Sequence, residues 1–167
     1  MTKRRRLMAL LSVAVAIGAG AAAGGGDDDK SSSSGKVGEL KVGVLVPLTG
    51  DLAPFGGPNA KAAQLGADAV NEAAKKAGVD INVKLVTEDT KTDPQGSQEA
   101  ATKLVESDKV NVIAGPMASS ETIPTAENVT VDAGVPLISP SATAPDVTNI
   151  EDDGLVFRTA PSDALQG

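Results

Sequence analysis

The chain has no cysteine, no histidine, no tryptophan and no tyrosine, and only two phenylalanines among its 167 residues. Each absence excludes something. Without cysteine no disulfide can form, and the redox compartment leaves no mark in the sequence. Without histidine or cysteine there is no Ser-His-Asp or Cys-His nucleophile, and a zinc site loses its usual ligands. Two aromatic rings make no stacking platform for nucleic-acid bases. The core has to be built from Val, Ile, Leu and Ala, and a hydrophobic content of 41% is enough for one folded domain.

Positive charge is scarce outside one place. Lys3, Arg4, Arg5 and Arg6 form an N-terminal block with no acid in it. Setting those four aside leaves 11 basic residues against 22 acidic ones, so the body carries −11 where the whole chain carries −7. An acidic body repels DNA, RNA and anionic membrane, so no nucleic-acid partner is expected. Its plain consequence is solubility.

Residues 1–23 read as a secretion signal. Lys3–Arg6 supply the charged start, Leu7–Ile17 the apolar run, and Ala21-Ala22-Ala23 a small-residue cleavage site. The run is shorter than the ~20 residues of a membrane span, which favours a signal over a short anchor. Residues 24–38, rich in Gly, Asp and Ser, have almost nothing to bury and read as a disordered tether. The folded domain is expected over 39–167.

Within that domain, strands and helices alternate with short connections. Strands are expected over Lys41–Pro47, Ile81–Val86, Val110–Ala114, Val135–Ile138 and Leu155–Arg158. A helix over Pro58–Ala77 has Pro58 at its first position and stops at Gly78. Its Ala62, Leu65, Gly66, Ala69, Val70, Ala73 and Ala77 recur at three- and four-residue steps, as a face packed on a sheet would. Asp93-Pro94 opens a second helix as N-cap and N1, running to about Ser107. A third is expected from about Ser120 to Asp132, ended by Gly134. This is the pattern of an α/β fold with a doubly wound parallel sheet, and strand order 2-1-3-4-5 puts a switch point between the first and third strands.

The loops beyond the carboxyl ends of the first, third and fourth strands would then share one crevice. Two of them are rich in hydroxyls: Ser119, Ser120 and Thr122 after the third strand, and Ser139, Ser141 and Thr143 after the fourth. At a helix N-terminus such groups suit a carboxylate. Alternatively, Ser119 or Ser120 simply caps the helix. Phe55 stands in the Gly/Pro-rich first loop, either to cover a ligand or to anchor the loop. No glycine pattern marks a nucleotide site. Glu88, Asp89, Asp93 and the Glu151-Asp152-Asp153 run read as solvated turn residues, without the close spacing of a metal site.

The order of these segments resembles the branched-chain amino-acid (Leu/Ile/Val) binding proteins. The resemblance rests on Lys41–Gly50, Phe55-Gly56 with the helix segment Gly66–Glu72, Glu88–Pro94, Val112–Ser120, Pro136–Thr143 and Phe157–Asp163. It implies a Rossmann-like lobe of a type I periplasmic-binding fold that captures an amino acid or similar small solute for an ABC importer, whose permease would be the partner. It implies neither enzyme activity nor any cofactor. Ligand contacts would fall at Phe55, Ser119, Ser120, Ser141, Ala142 and Thr143. Ser119 and Thr143 would hold the α-carboxylate, the backbone at Ser141 the ammonium, and Phe55 would line the pocket. Some members join two of these loops by a disulfide; Thr92 and Ala118 stand at those positions.

The resemblance also implies a second lobe, so 39–167 is expected to be an incomplete N-terminal lobe that binds weakly or not at all alone. The tether resembles that of Gram-positive lipoproteins, but Gly24 stands where their lipid-bearing cysteine would be, which argues against an anchor. An extracytoplasmic location is expected. The alternatives are a ligand-sensing domain of a receptor with the same fold, or an enzyme on a flavodoxin-like sheet.

Overall fold

The structure, a computed structural model, describes residues 38–165; the expected signal and most of the expected tether lie outside them. Strand β1 (Glu39–Val46) leads through a 3-10 turn at Ala53–Phe55 into helix α1 (Gly56–Ala77). Then follow β2 (Asn82–Asp89), α2 (Pro94–Thr102), β3 (Val112–Ala114), α3 (Ser119–Thr125), β4 (Leu137–Ser139) and β5 (Val156–Arg158). Helices α2 and α3 each run on into a wider π-type turn, Lys103–Ser107 and Ala126–Thr130. The five strands form one all-parallel sheet in the order β2-β1-β3-β4-β5. That is the expected doubly wound order, with its switch point between β1 and β3.

Several boundaries move for local reasons. Val110 does not open β3: its N–H bonds to Leu104 O and closes the preceding helical segment. Likewise Val135 N–H bonds to Thr130 O, so β4 starts two residues later. Helix α1 begins at Gly56, placing Pro58 inside the first turn, where a missing N–H costs no intrahelical bond. Gly56 lets that turn reach the end of β1, since a Cβ on it would lie 2.0 Å from Pro47 O. Gly78 ends the helix in the left-handed region (φ 67°), as expected.

The face of α1 is a correction. The structure buries Gly56, Ala67 and Ala74, and leaves Leu65 60% and Val70 49% exposed. Alanines surround this helix, so spacing alone does not select the inward side. Asn71 does. Its amide donates to Val83 O (3.0 Å) and accepts from Val83 N (2.7 Å), tying the helix to the edge strand β2.

The core lies mainly between the sheet and α2–α3. Leu45, Ala100, Ala101, Leu104, Val110 and Ile113 form one buried cluster, and Ala126, Ala142, Val147 and Ile150 another. Ser97 and Thr125 share a buried hydrogen bond of 2.9 Å where α2 meets α3. On the opposite face, register aligns Val44, Ala114, Ile138 and Phe157 in one row across four strands. Helix α1 covers the β1 end of that row, while Ile138 and Phe157 are exposed.

Candidate functional site

The carboxyl ends of β1, β3 and β4 bring three loops to one edge of the sheet. Asp89, at the end of β2, builds the first. Its carboxylate accepts from Leu48 N (2.8 Å), Thr49 N (3.1 Å), Thr49 Oγ1 (2.6 Å) and Lys91 N (2.8 Å). Burial pushes its pKa up, but those donors outweigh burial and hold it below the usual carboxylate range. Thr92 adds a second tie, donating to Thr49 O and accepting from Leu52 N. Asp93 caps α2 through Gly96 N (2.6 Å), and Glu88 pairs with Lys103 at 2.6 Å. Asp93 thus caps α2 as expected, and the reading of Glu88 and Asp89 as merely solvated turn residues is corrected; they are scaffold groups. The available sequence signal was Asp89 itself, since an Asp side chain commonly closes a turn on the N–H two residues on, as it does here with Lys91 N.

The other two loops are stitched together by the hydroxyls. Gly115 starts the first of them, at φ 110°, where a Cβ would strike Leu45 O at 2.1 Å. Ser139 Oγ donates to Pro116 O (2.6 Å) and accepts from Ala142 N (3.1 Å). Ser141 Oγ donates to Met117 O (2.8 Å). Ser119 Oγ accepts from both Thr143 N and Ala144 N, each at 3.1 Å. Arg158, from β5, clamps the far side of the β4 loop by donating to Ala144 O (2.8 Å) and to Thr148 Oγ1. Sequence reasoning did not single out Arg158.

The geometry excludes the capping role for Ser119 and Ser120. The residue at the N-cap of α3 is Ala118, with Ser119 and Ser120 in the first turn. Glu121 reaches back to accept from Ala118 N at 3.2 Å. Neither serine caps the helix. A hydroxyl has two lone pairs and one proton. The lone pairs of Ser119 are taken by two amides, so its proton is what it can offer. Among the described residues the hydroxyls of Ser120 and Thr143 and the first two N–H groups of α3, those of Ser119 and Ser120, have no hydrogen-bond partner, whereas Glu121 N already bonds to Ala118 O. The result is a donor-rich wall.

Of the six expected contact residues, Ser119, Ser141 and Thr143 are joined through these bonds, and Ser120 is exposed beside them. Ala142 differs: its side chain is buried in the core and its N–H is taken by Ser139, leaving only its carbonyl for a ligand. Phe55 is 55% exposed at the end of the first loop, and no hydrogen bond among the described residues ties that loop to the other two. An apolar cavity of about 240 Å³ lies between α1 and the carboxyl ends of β1, β3 and β4, lined by Val44, Ala62, Gly115, Ile138 and Pro140 among others. It contains none of the six residues, and its lining includes two polar side chains, Asn59 and Thr159.

The periplasmic binding protein family matches this chain over residues 39–167, which takes in the whole sheet and all three loops. The chain belongs to that family. A Leu/Ile/Val-binding protein of Rhizobium johnstonii is 35% identical over 132 residues, covering 77% of this chain and 34% of the relative. A leucine-, isoleucine-, valine-, threonine- and alanine-binding protein of Pseudomonas aeruginosa is 34% identical over 128 residues, covering 77% and 33%. This periplasmic binding protein chain thus spans about a third of the length of the curated relatives it matches.

Solved structures agree. The branched-chain amino acid transporter substrate binding protein of Streptococcus pneumoniae, in complex with isoleucine, superposes with a TM-score of 0.67 at 32% identity, over 75% of this chain and 35% of that one. A solute binding protein of an ABC transporter from Rhodopseudomonas palustris, in complex with 3,4-dihydroxybenzoic acid, gives 0.60 at 28%, over 74% and 32%. The names of these relatives are those of binding proteins, not enzymes.

Proposed function

We propose that this chain supplies one wall of the ligand cleft of an extracytoplasmic solute-binding protein, which captures a branched-chain-type amino acid or a related carboxylate for an ABC importer. One observation carries the reading. With both lone pairs of Ser119 held by Thr143 and Ala144, its hydroxyl is a fixed donor at the switch point, beside the unpaired hydroxyls of Thr143 and Ser120. Fixed donors with no competing acceptor suit an anion. The ligands named for two solved relatives, isoleucine and 3,4-dihydroxybenzoic acid, have a carboxylate in common. The wall would bind that shared group, leaving selectivity to other parts of the protein. Closure of a second lobe would complete the site, and a permease would receive the solute.

Calorimetric titration of the full-length protein with leucine, leucinamide and 4-hydroxybenzoate tests this. Leucine or the benzoate should bind, and leucinamide, which lacks the carboxylate, should bind at least tenfold more weakly, a loss of about 1.4 kcal/mol. Equal affinity for leucine and leucinamide would overturn the carboxylate assignment.

A further inference from the structure

Glu121 has no part in the wall as described, yet it is fully buried directly behind it. Its Oε2 accepts from Ala118 N at 3.2 Å, while its Oε1 is buried with no hydrogen-bond partner. Thr90, itself fully buried, lies beside the carboxyl without completing a well-formed hydrogen bond to Oε1. The charged groups that act on Glu121 are Asp93, at the start of α2, and Asp89, at the end of β2; both are acids. Among the described residues Glu121 makes no ion pair.

The residue it holds matters. Ala118 is fixed from both sides by α3: Glu121 takes its N–H, and Thr122 donates from Oγ1 (2.8 Å) and N (2.9 Å) to its carbonyl. Ser119 follows Ala118 directly and carries the bonds to Thr143 and Ala144. A change at the Glu121 carboxyl is therefore one hydrogen bond and one residue from Ser119, which joins the two loops.

We propose that Glu121 is a positioning residue for Ser119, acting through the Ala118 peptide, and that ionisation of its carboxyl loosens the stitched loops. A neutral acid suits this enclosure, because it carries a proton on one oxygen and accepts with the other. The anion leaves an oxygen with no donor and faces two further acids, and it relieves both by moving toward water. Burial, the largest influence, pushes the Glu121 carboxyl above its usual range; Thr90 and the Ala118 amide pull it down, and Asp93 and Asp89 push it up again. The sign follows. With the folded value raised, the loops are tight at acidic pH and loosen as pH rises from the ordinary glutamate range through the raised value.

This deepens the proposed function and rests on it only in the ligand arm of the test. In the ligand-free arm, amide hydrogen exchange of Ala118, Thr143 and Ala144 is followed against pH in the wild type and in Glu121→Gln. The intrinsic pH dependence of exchange cancels in the ratio of the two. Gln keeps the acceptor and cannot ionise, so protection in the wild type should fall relative to Glu121→Gln as pH rises. The Glu121 carboxyl carbon shift in the wild type should titrate over the same window, a readout that needs no variant to fold. In the ligand arm, leucine affinity of the full-length protein should fall over that window in the wild type and stay flat in Glu121→Gln. A constant exchange ratio, or a carboxyl that titrates without moving the three amides, overturns the positioning role. If the amides respond and neither leucine nor 4-hydroxybenzoate binds at any pH, positioning stands and the ligand reading fails.

Discussion

At the scale of single residues, Ser119 and Ser120 are adjacent serines with opposite tasks. Ser119 satisfies two backbone amides of the neighbouring loop, and Ser120 satisfies none. Ser119→Ala should therefore destabilise the chain by about 1–3 kcal/mol in denaturant unfolding with no ligand present, because it orphans two donors. Ser120→Ala should stay within about 0.5 kcal/mol of wild type. Asp89 makes a second residue-scale case. Its lowered pKa means that the stability it confers is present above the ordinary aspartate range and is lost as pH falls through the lowered folded value. Asp89→Asn should flatten the acid limb of a stability-against-pH curve, and a steep limb in that variant would show that other carboxylates dominate it. Hydroxyls at this edge were legible in the sequence because they follow apolar strands. Their partners were not, since a hydrogen bond between residues 24 apart leaves no local pattern. Glu121 was hidden for a related reason: a capping box announces itself by a hydroxyl residue at the N-cap, and here that position is Ala118.

Among the elements, α1 shows where pattern reading fails. Alternation of strands and helices gave the parallel order of all five strands, because right-handed crossovers leave few alternatives. The inward face of α1 was not legible, because alanine spaced by three and four occurs on more than one side of it. What selects the face is a polar residue, Asn71, which pattern reading assigns to solvent and the structure turns toward the backbone of β2. Leu65→Lys should change unfolding free energy by no more than about 0.5 kcal/mol, since Leu65 already faces water. Ala67→Lys should cost several times more, because it forces a charged head against the sheet. If the two substitutions proved equal, the orientation of α1 would be wrong.

At the scale of the whole chain, the described residues supply one wall of a cleft. A parallel sheet is ordinarily covered on both faces, and among the described residues the row Val44–Ala114–Ile138–Phe157 is covered at one end only. The hydroxyl wall stands at the edge of that same sheet with solvent over it. Hydrogen bonds from such donors to a carboxylate replace equally good bonds to water, so each contributes little net free energy. Meanwhile a bound solute still loses several kcal/mol of translational and rotational freedom. Two or three exposed hydrogen bonds do not offset that loss. We expect residues 39–167 alone to bind leucine with a Kd no tighter than about 1 mM, an interaction of about 4 kcal/mol. Amide shift changes in a two-dimensional NMR titration, reaching saturation only at high leucine and centred on Ser119, Ser120 and Thr143, would match the expectation. Micromolar binding by this wall alone would mean that it encloses the solute far more than its open edge allows, and the division of labour proposed for it would fail.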